Sequence, residues 1–146
     1  MKLVYHIIIF FALALMLTAC GDDAVSGVGV QAGQSFDLPI GQSAILPGGS
    51  NRLVFAQVLK DSRCPRLIDC FGQGRAKVKM VLCNSDNSKQ DIELTQGQSQ
   101  VIQLDGLPRF KLNLIDLFPL PGLNRTVRPE EYVLRLALDE LDPVQP

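Results

Sequence analysis

From residue 34 onward the chain alternates. Arg75-Ala76-Lys77-Val78-Lys79-Met80-Val81-Leu82 puts Ala76, Val78, Met80 and Leu82 at every second position, with basic residues between most of them. Strand side chains point to opposite faces with period two, so this spacing predicts a half-buried strand. Arg109 to Phe118 repeats the pattern, with Phe110, Leu112 and Leu114 set against Arg109, Lys111 and Asn113. Arg52 to Leu59, Asp91 to Thr95, Ser99 to Leu104 and Tyr132 to Leu138 predict four more strands. The shorter runs Phe36 to Ile40 and Ala44 to Leu46 predict two others. Turn chemistry separates them: Pro47-Gly48-Gly49-Ser50, Asn84-Ser85-Asp86-Asn87, Gln96-Gly97, Asp105-Gly106 and Pro119 to Gly122. Gln90 to Leu104 reads as a hairpin, since Gly97 can take the positive φ of a tight turn. No stretch sustains a helical period. About eight short strands at this spacing predict an all-β domain, either an antiparallel sandwich or a small barrel.

The N-terminus follows a different rule. After Met1-Lys2, Leu3 to Leu17 is almost unbroken apolar. A spanning helix needs roughly twenty apolar residues; about fifteen suit the apolar core of a signal peptide. The run ends in Leu17-Thr18-Ala19-Cys20-Gly21. This resembles the bacterial lipobox, in which Leu, a small residue and Ala or Gly precede Cys. The resemblance implies cleavage before Cys20, a diacylglycerol thioether on its sulfur and an acylated amine. Several acyl chains suffice for stable membrane attachment. Gly21 to Gly33 is small and Gly-rich and reads as a flexible tether. The expected organisation is a signal peptide over 1–19, a lipidated tether over 20–33, one domain over 34–141 and a frayed tail over 142–146.

Composition narrows the chemistry. The chain has 146 residues, enough for one domain, and a net charge of −1. A nucleic-acid binder that neutralises phosphates would carry a basic excess, so none is expected as a partner. The single histidine is His6, inside the segment expected to be removed. A mature chain without histidine excludes Ser-His-Asp and Cys-His catalysis and His-ligated zinc. No catalytic residue, metal or cofactor is expected.

Beyond Cys20 the cysteines are Cys64, Cys70 and Cys83. The compartment beyond the inner membrane is oxidising, so pairing is expected. Cys64 and Cys70 enclose five residues and can close if the loop doubles back. Cys83 ends a strand; it reads as a buried thiol serving as a small apolar residue, or else as a free thiol for an intermolecular disulfide or a redox role. Arg75, Lys77 and Lys79 form a basic row: either one solvent face of a sheet whose charge blunts edge pairing, or a face for an anionic partner. Gly72-Gln73-Gly74 lacks the third glycine of a phosphate cradle and reads as a tight strand entry. The acids Glu130-Glu131 and Asp139, Glu140 and Asp142 flank polar turns and read as solvated. Ser62 has no base placed to activate it, and Asn124-Arg125-Thr126 reads as a turn.

Asp61-Ser62-Arg63-Cys64-Pro65, then Cys70 and Gly72-Gln73-Gly74-Arg75-Ala76-Lys77-Val78, resembles a group of small bacterial secreted or lipid-anchored domains that carry D-S-R-C-P-x4-C-x-W-A-G-x-A-x-V. Lys111 to Pro119 and Arg128-Pro129-Glu130-Glu131-Tyr132 are similar to that group's second signature. Gly72 stands where the group has Trp, and Gln73 where it has Ala, so any role of that Trp is lost or moved to Phe71. The resemblance implies a secreted or lipid-anchored β domain with a Cys64–Cys70 disulfide and no established activity.

The expectation is a lipid-anchored protein of the bacterial cell envelope, held to the membrane through Cys20. With Gly21 after the cysteine, the outer membrane facing the periplasm is expected in a Gram-negative cell. The domain is expected to bind an envelope protein or cell-wall polymer without catalysis. The alternative is an immunoglobulin-like inhibitor of a hydrolase, inserting the loop at Arg63 to Arg66 or Pro121 to Pro129.

Overall fold

The computed structural model describes residues 27–65, 68–72, 74–123 and 126–141. Their strands are β1 (Val28–Gly29), β2 (Gln34–Pro39), β3 (Ser43–Ile45), β4 (Arg52–Asp61), β5 (Ala76–Cys83), β6 (Lys89–Thr95), β7 (Ser99–Gln103), β8 (Arg109–Phe118) and β9 (Val133–Leu141), with a 3₁₀ turn at Pro129–Glu131. One sheet has the order β1-β3-β4-β5-β6 and the other β2-β9-β8-β7. All pairs are antiparallel except β1 with β3. Neither sheet closes on itself, so the fold is a β-sandwich and not a barrel.

The period-two pattern builds the core. Ala76, Val78, Met80 and Leu82 of β5 are fully buried, and so are Leu53 and Phe55 of β4. They share one cluster with Phe110, Leu112 and Leu114 of β8 and Leu134, Leu136 and Leu138 of β9, in the other sheet. Each such leucine or phenylalanine contributes about 1.5–3 kcal/mol relative to its exposed state.

Two expectations are corrected. β6 and β7 do not form a hairpin. β6 pairs with β5 and β7 with β8, so the Gln96-Gly97 turn carries the chain from one sheet to the other. Both strands bury alternate residues, Ile92 and Leu94 in one and Ile102 in the other, and that pattern is equally compatible with facing sheets. Gly97 does take positive φ, at 79°. The tight hairpin lies one strand earlier, where the Asn84 N–H donates to the Ser88 carbonyl. The second correction concerns the tether. Residues 28 and 29 pair with β3, and Val30 is buried in the core. The domain therefore begins inside the stretch expected to be flexible.

The registers place two long loops at the same end of the sandwich. β4 stops at Asp61 opposite Ala76, which leaves 62–75 as one connection. β8 stops at Phe118 opposite Val133, which leaves 119–132 as another. The β6–β7 turn joins them there: Gln96 N–H donates to the Ala76 carbonyl and Gly97 N–H to the Leu114 carbonyl.

Candidate functional site

A buried ion pair anchors this loop end. Asp61 and Arg63 are two residues apart where β4 ends. Arg63 Nε donates to Asp61 Oδ1 at 2.8 Å and Nη2 to Oδ2 at 2.7 Å. Their side chains are only 4% and 9% exposed. The same guanidinium reaches the other sheet, where Nη1 donates to the Leu117 carbonyl and Nη2 to the Pro119 carbonyl at 2.9 Å. Asp116 lies 3.8 Å from Nη1. Tyr132, entering β9, donates its hydroxyl to Asp61 Oδ2 at 3.2 Å. A planar fork with five donors suits this task, since it holds a carboxylate on one side and carbonyls on the other. Burial works against the Asp61 carboxylate, but the Arg63 hydrogen bonds and charge and the Tyr132 hydroxyl outweigh it and hold its pKa below the ordinary value. Burial, together with the Asp61 charge, pushes the Tyr132 phenol up. Arg63 is therefore no inserting residue. The two sequence signatures, Asp61 to Arg63 and Asp116 to Tyr132, meet in this one network.

The next residues fix the path of the first loop. Ser62 Oγ donates to the Arg75 carbonyl at 2.9 Å and accepts the Arg75 N–H at 3.1 Å, so its hydroxyl is a backbone clamp. Gly74 has φ +58°, and a Cβ there would stand 1.7 Å from the Ser62 carbonyl oxygen. Only glycine fits that approach. Cys64 and Cys70 form a disulfide with Cα atoms 6.0 Å apart. Ile68, between them, is exposed, as is Phe71 just beyond. Within the ring, Ile68 is held out toward solvent. Cys83, at the far end of β5, is buried but is not the free thiol expected: it is disulfide-bonded.

A groove of about 1020 Å³ runs between this loop and β8, open to solvent, with Pro65, Ile68, Ile115 and Leu120 as its apolar lining. Ile115 enters it through a β-bulge. Leu114 pairs with Leu136 and Asp116 with Arg135, so Ile115 is the extra residue and leaves the ladder. Bulges re-aim side chains in this way. The bulge is held from the β6–β7 turn: the Gln96 amide donates to Asp116 Oδ1 at 2.9 Å and Leu114 N–H to the Gln98 carbonyl at 3.2 Å. Ile115 is 46% exposed, with Leu123 of the second loop also exposed at this end.

The expected basic row splits. Lys77 pairs with Glu93 and Lys79 with Asp91, both at 2.6 Å across the β5–β6 ladder. β5 is flanked on both sides, so these charges guard no edge. Arg75 lies apart, in the groove, with no ion pair among the described residues. The acids do not gather into a site either. Glu130 and Glu131 pair with Arg128, and Asp139 accepts from the Asn113 amide. Cys20, the 1–19 segment, Arg66, Gln73, Asn124, Arg125 and 142–146 lie outside the described residues. No helix among the described residues is long and apolar enough to cross a membrane. No family model, curated protein or solved structure matches the chain.

Proposed function

We propose that the chain is a lipid-anchored protein of the bacterial envelope whose β-sandwich is a non-catalytic binding module, docking a partner protein through its loop end. The anchor rests on Leu17-Thr18-Ala19-Cys20 and the apolar run before it. The binding reading rests on one observation: two long loops, the first joined to the second through Arg63 and closed on itself by a disulfide, group Ile68, Phe71 and Leu123 with Ile115 of β8 in solvent at one end. Holding loops in one conformation lowers the entropy cost of association, and exposed apolar side chains grouped together favour a protein partner. A cell-wall polyanion fits less well, because Lys77 and Lys79 are already neutralised.

Site-specific photocrosslinking in intact cells tests it. A photoreactive residue at Phe71 should give one discrete protein adduct, and the same residue at Asp105, in the turn at the opposite end, should give none. Adducts from both ends alike, or from neither, count against the loop end. If the adduct is a hydrolase that the purified protein inhibits, the module is an inhibitor, using the second loop and not Arg63.

A further inference from the structure

We propose that the groove beside the Ile115 bulge takes an extended segment of a partner polypeptide, setting an apolar side chain against Ile115 and a carboxylate on Arg75; this rests on the reading of the loop end as a docking surface. Three observations carry it. The first is the bulge. An isoleucine displaced from the ladder into an open groove is apolar surface withheld from the core, and the turn hydrogen bonds to Leu114 and Asp116 keep it there. The second is charge. Among the described residues, the ionisable groups lining the groove are Arg63 and Arg75. Arg63 is spent on Asp61 and the carbonyls of the second loop, so Arg75 is the cation left for a ligand. One guanidinium suits a single carboxylate, whereas a polyanion needs several.

The third is the lining itself. Among the described residues it holds no aromatic ring and no carboxylate. A sugar ring would find no stacking platform and no charged acceptor for its hydroxyls. Instead, Gly74 and Gly97 form its walls. The bare side of Gly74 is taken by the Ser62 carbonyl, but Gly97 has open space where a side chain would stand, so its backbone can be approached closely by another main chain. An apolar contact, a fixed cation and bare backbone are the parts that recognise an extended peptide.

Panning a random peptide library on the full chain, purified with its lipid in detergent, tests the proposal. Selected peptides should share an apolar residue followed within a few positions by Asp or Glu. Their affinity should fall by about tenfold or more in Ile115→Asp and in Arg75→Glu, the loss typical of a central contact. It should be unchanged in Val101→Asp, an equally exposed site on β7. All three positions are exposed on the surface, and far-UV circular dichroism checks that the variants fold. Peptides that lose affinity in Phe71→Ser but not in the groove variants overturn the groove while leaving the loop end as the docking surface. Peptides indifferent to all four variants, or no selection at all, overturn both.

Discussion

At the scale of single residues, Arg63 decides most. Its guanidinium joins the two loops, holding Asp61 at the foot of the first and the Leu117 and Pro119 carbonyls where the second begins. Arg63→Ala leaves Asp61 buried and unpaired, and removing one partner of a buried pair costs roughly 3–5 kcal/mol. Chemical denaturation should show that loss, and Arg63→Lys should recover only part of it, because an ammonium lacks the fork. The pH dependence follows from Asp61. Its pKa is lower folded than unfolded, so its contribution is complete above the ordinary carboxylate value of about 4 and is lost as pH falls through the lowered one. Asp37, held down chiefly by its hydrogen bond from Arg135, adds to the same acid limb. Denaturation midpoints measured from pH 7 downward should fall less steeply in Asp61→Asn. Gly74 makes a second residue-scale test. Gly74→Ala drives a Cβ into the Ser62 carbonyl, whereas Gly72→Ala, also at positive φ, meets open space. Gly74→Ala should cost well over the ~1 kcal/mol expected of the φ mismatch alone, and equal losses in the two variants would show that the Ser62 contact is unimportant. Some of this was legible in the chain. An Asp and an Arg two apart at a strand end share a face, which is the signal of a pair. Nothing in the sequence said that the pair is buried, because its burial comes from loop 119–132, more than fifty residues away.

At the scale of elements, the strands were legible and their partners were not. Alternation located β4, β5, β8 and β9 because each buries one face against the same core. The β6–β7 segment shows where that signal ends. A strand that alternates does so whether its neighbour lies beside it or in the opposite sheet, so Asp91 to Gln103 could not be assigned without the β5 and β8 pairings. β1 was hidden for another reason: two residues, Val28 and Gly29, are too few to show a period. Ile115 was hidden because a bulge interrupts the alternation that exposes it. The disulfide loop yields the element-scale prediction. Closing a loop of about seven residues restricts the unfolded chain by roughly 2–3 kcal/mol in the chain-entropy account. Cys64→Ser with Cys70→Ser should lower stability by that amount while leaving the far-UV spectrum β-type, since the Arg63 network still pins the loop base. It should also weaken partner binding more than it weakens the core, because Ile68 sits inside the ring. Loss of the β-spectrum would mean that the ring nucleates the sandwich and does more than trim its end.

For the whole molecule, the question is how a sandwich whose sheet already begins at residue 28 would sit on a membrane. If Cys20 carries lipid, no more than seven residues, 20–26, separate the acyl chains from Gly27, and seven residues fully extended reach at most about 25 Å. The domain is then held close to the bilayer and does not swing on a long tether. Chemistry adds a stricter condition. A cysteine sulfur joined to diacylglycerol by a thioether cannot also form a disulfide. Cys83 is disulfide-bonded in this structure, and Cys64 and Cys70 are joined to each other. Anchoring through Cys20 therefore requires that Cys20 take no part in a disulfide in the membrane-bound protein. Two measurements on the same material check this. Labelled palmitate should enter the wild-type chain and fail to enter Cys20→Ala, which should also stay unprocessed at residue 19. Non-reducing peptide mapping of the membrane fraction should recover the Cys64–Cys70 peptide pair and no cross-link that contains Cys20. A Cys20–Cys83 pair from membrane-extracted protein would overturn the anchor, because the sulfur would be occupied. The palmitate would then have to lie on some other residue or be absent.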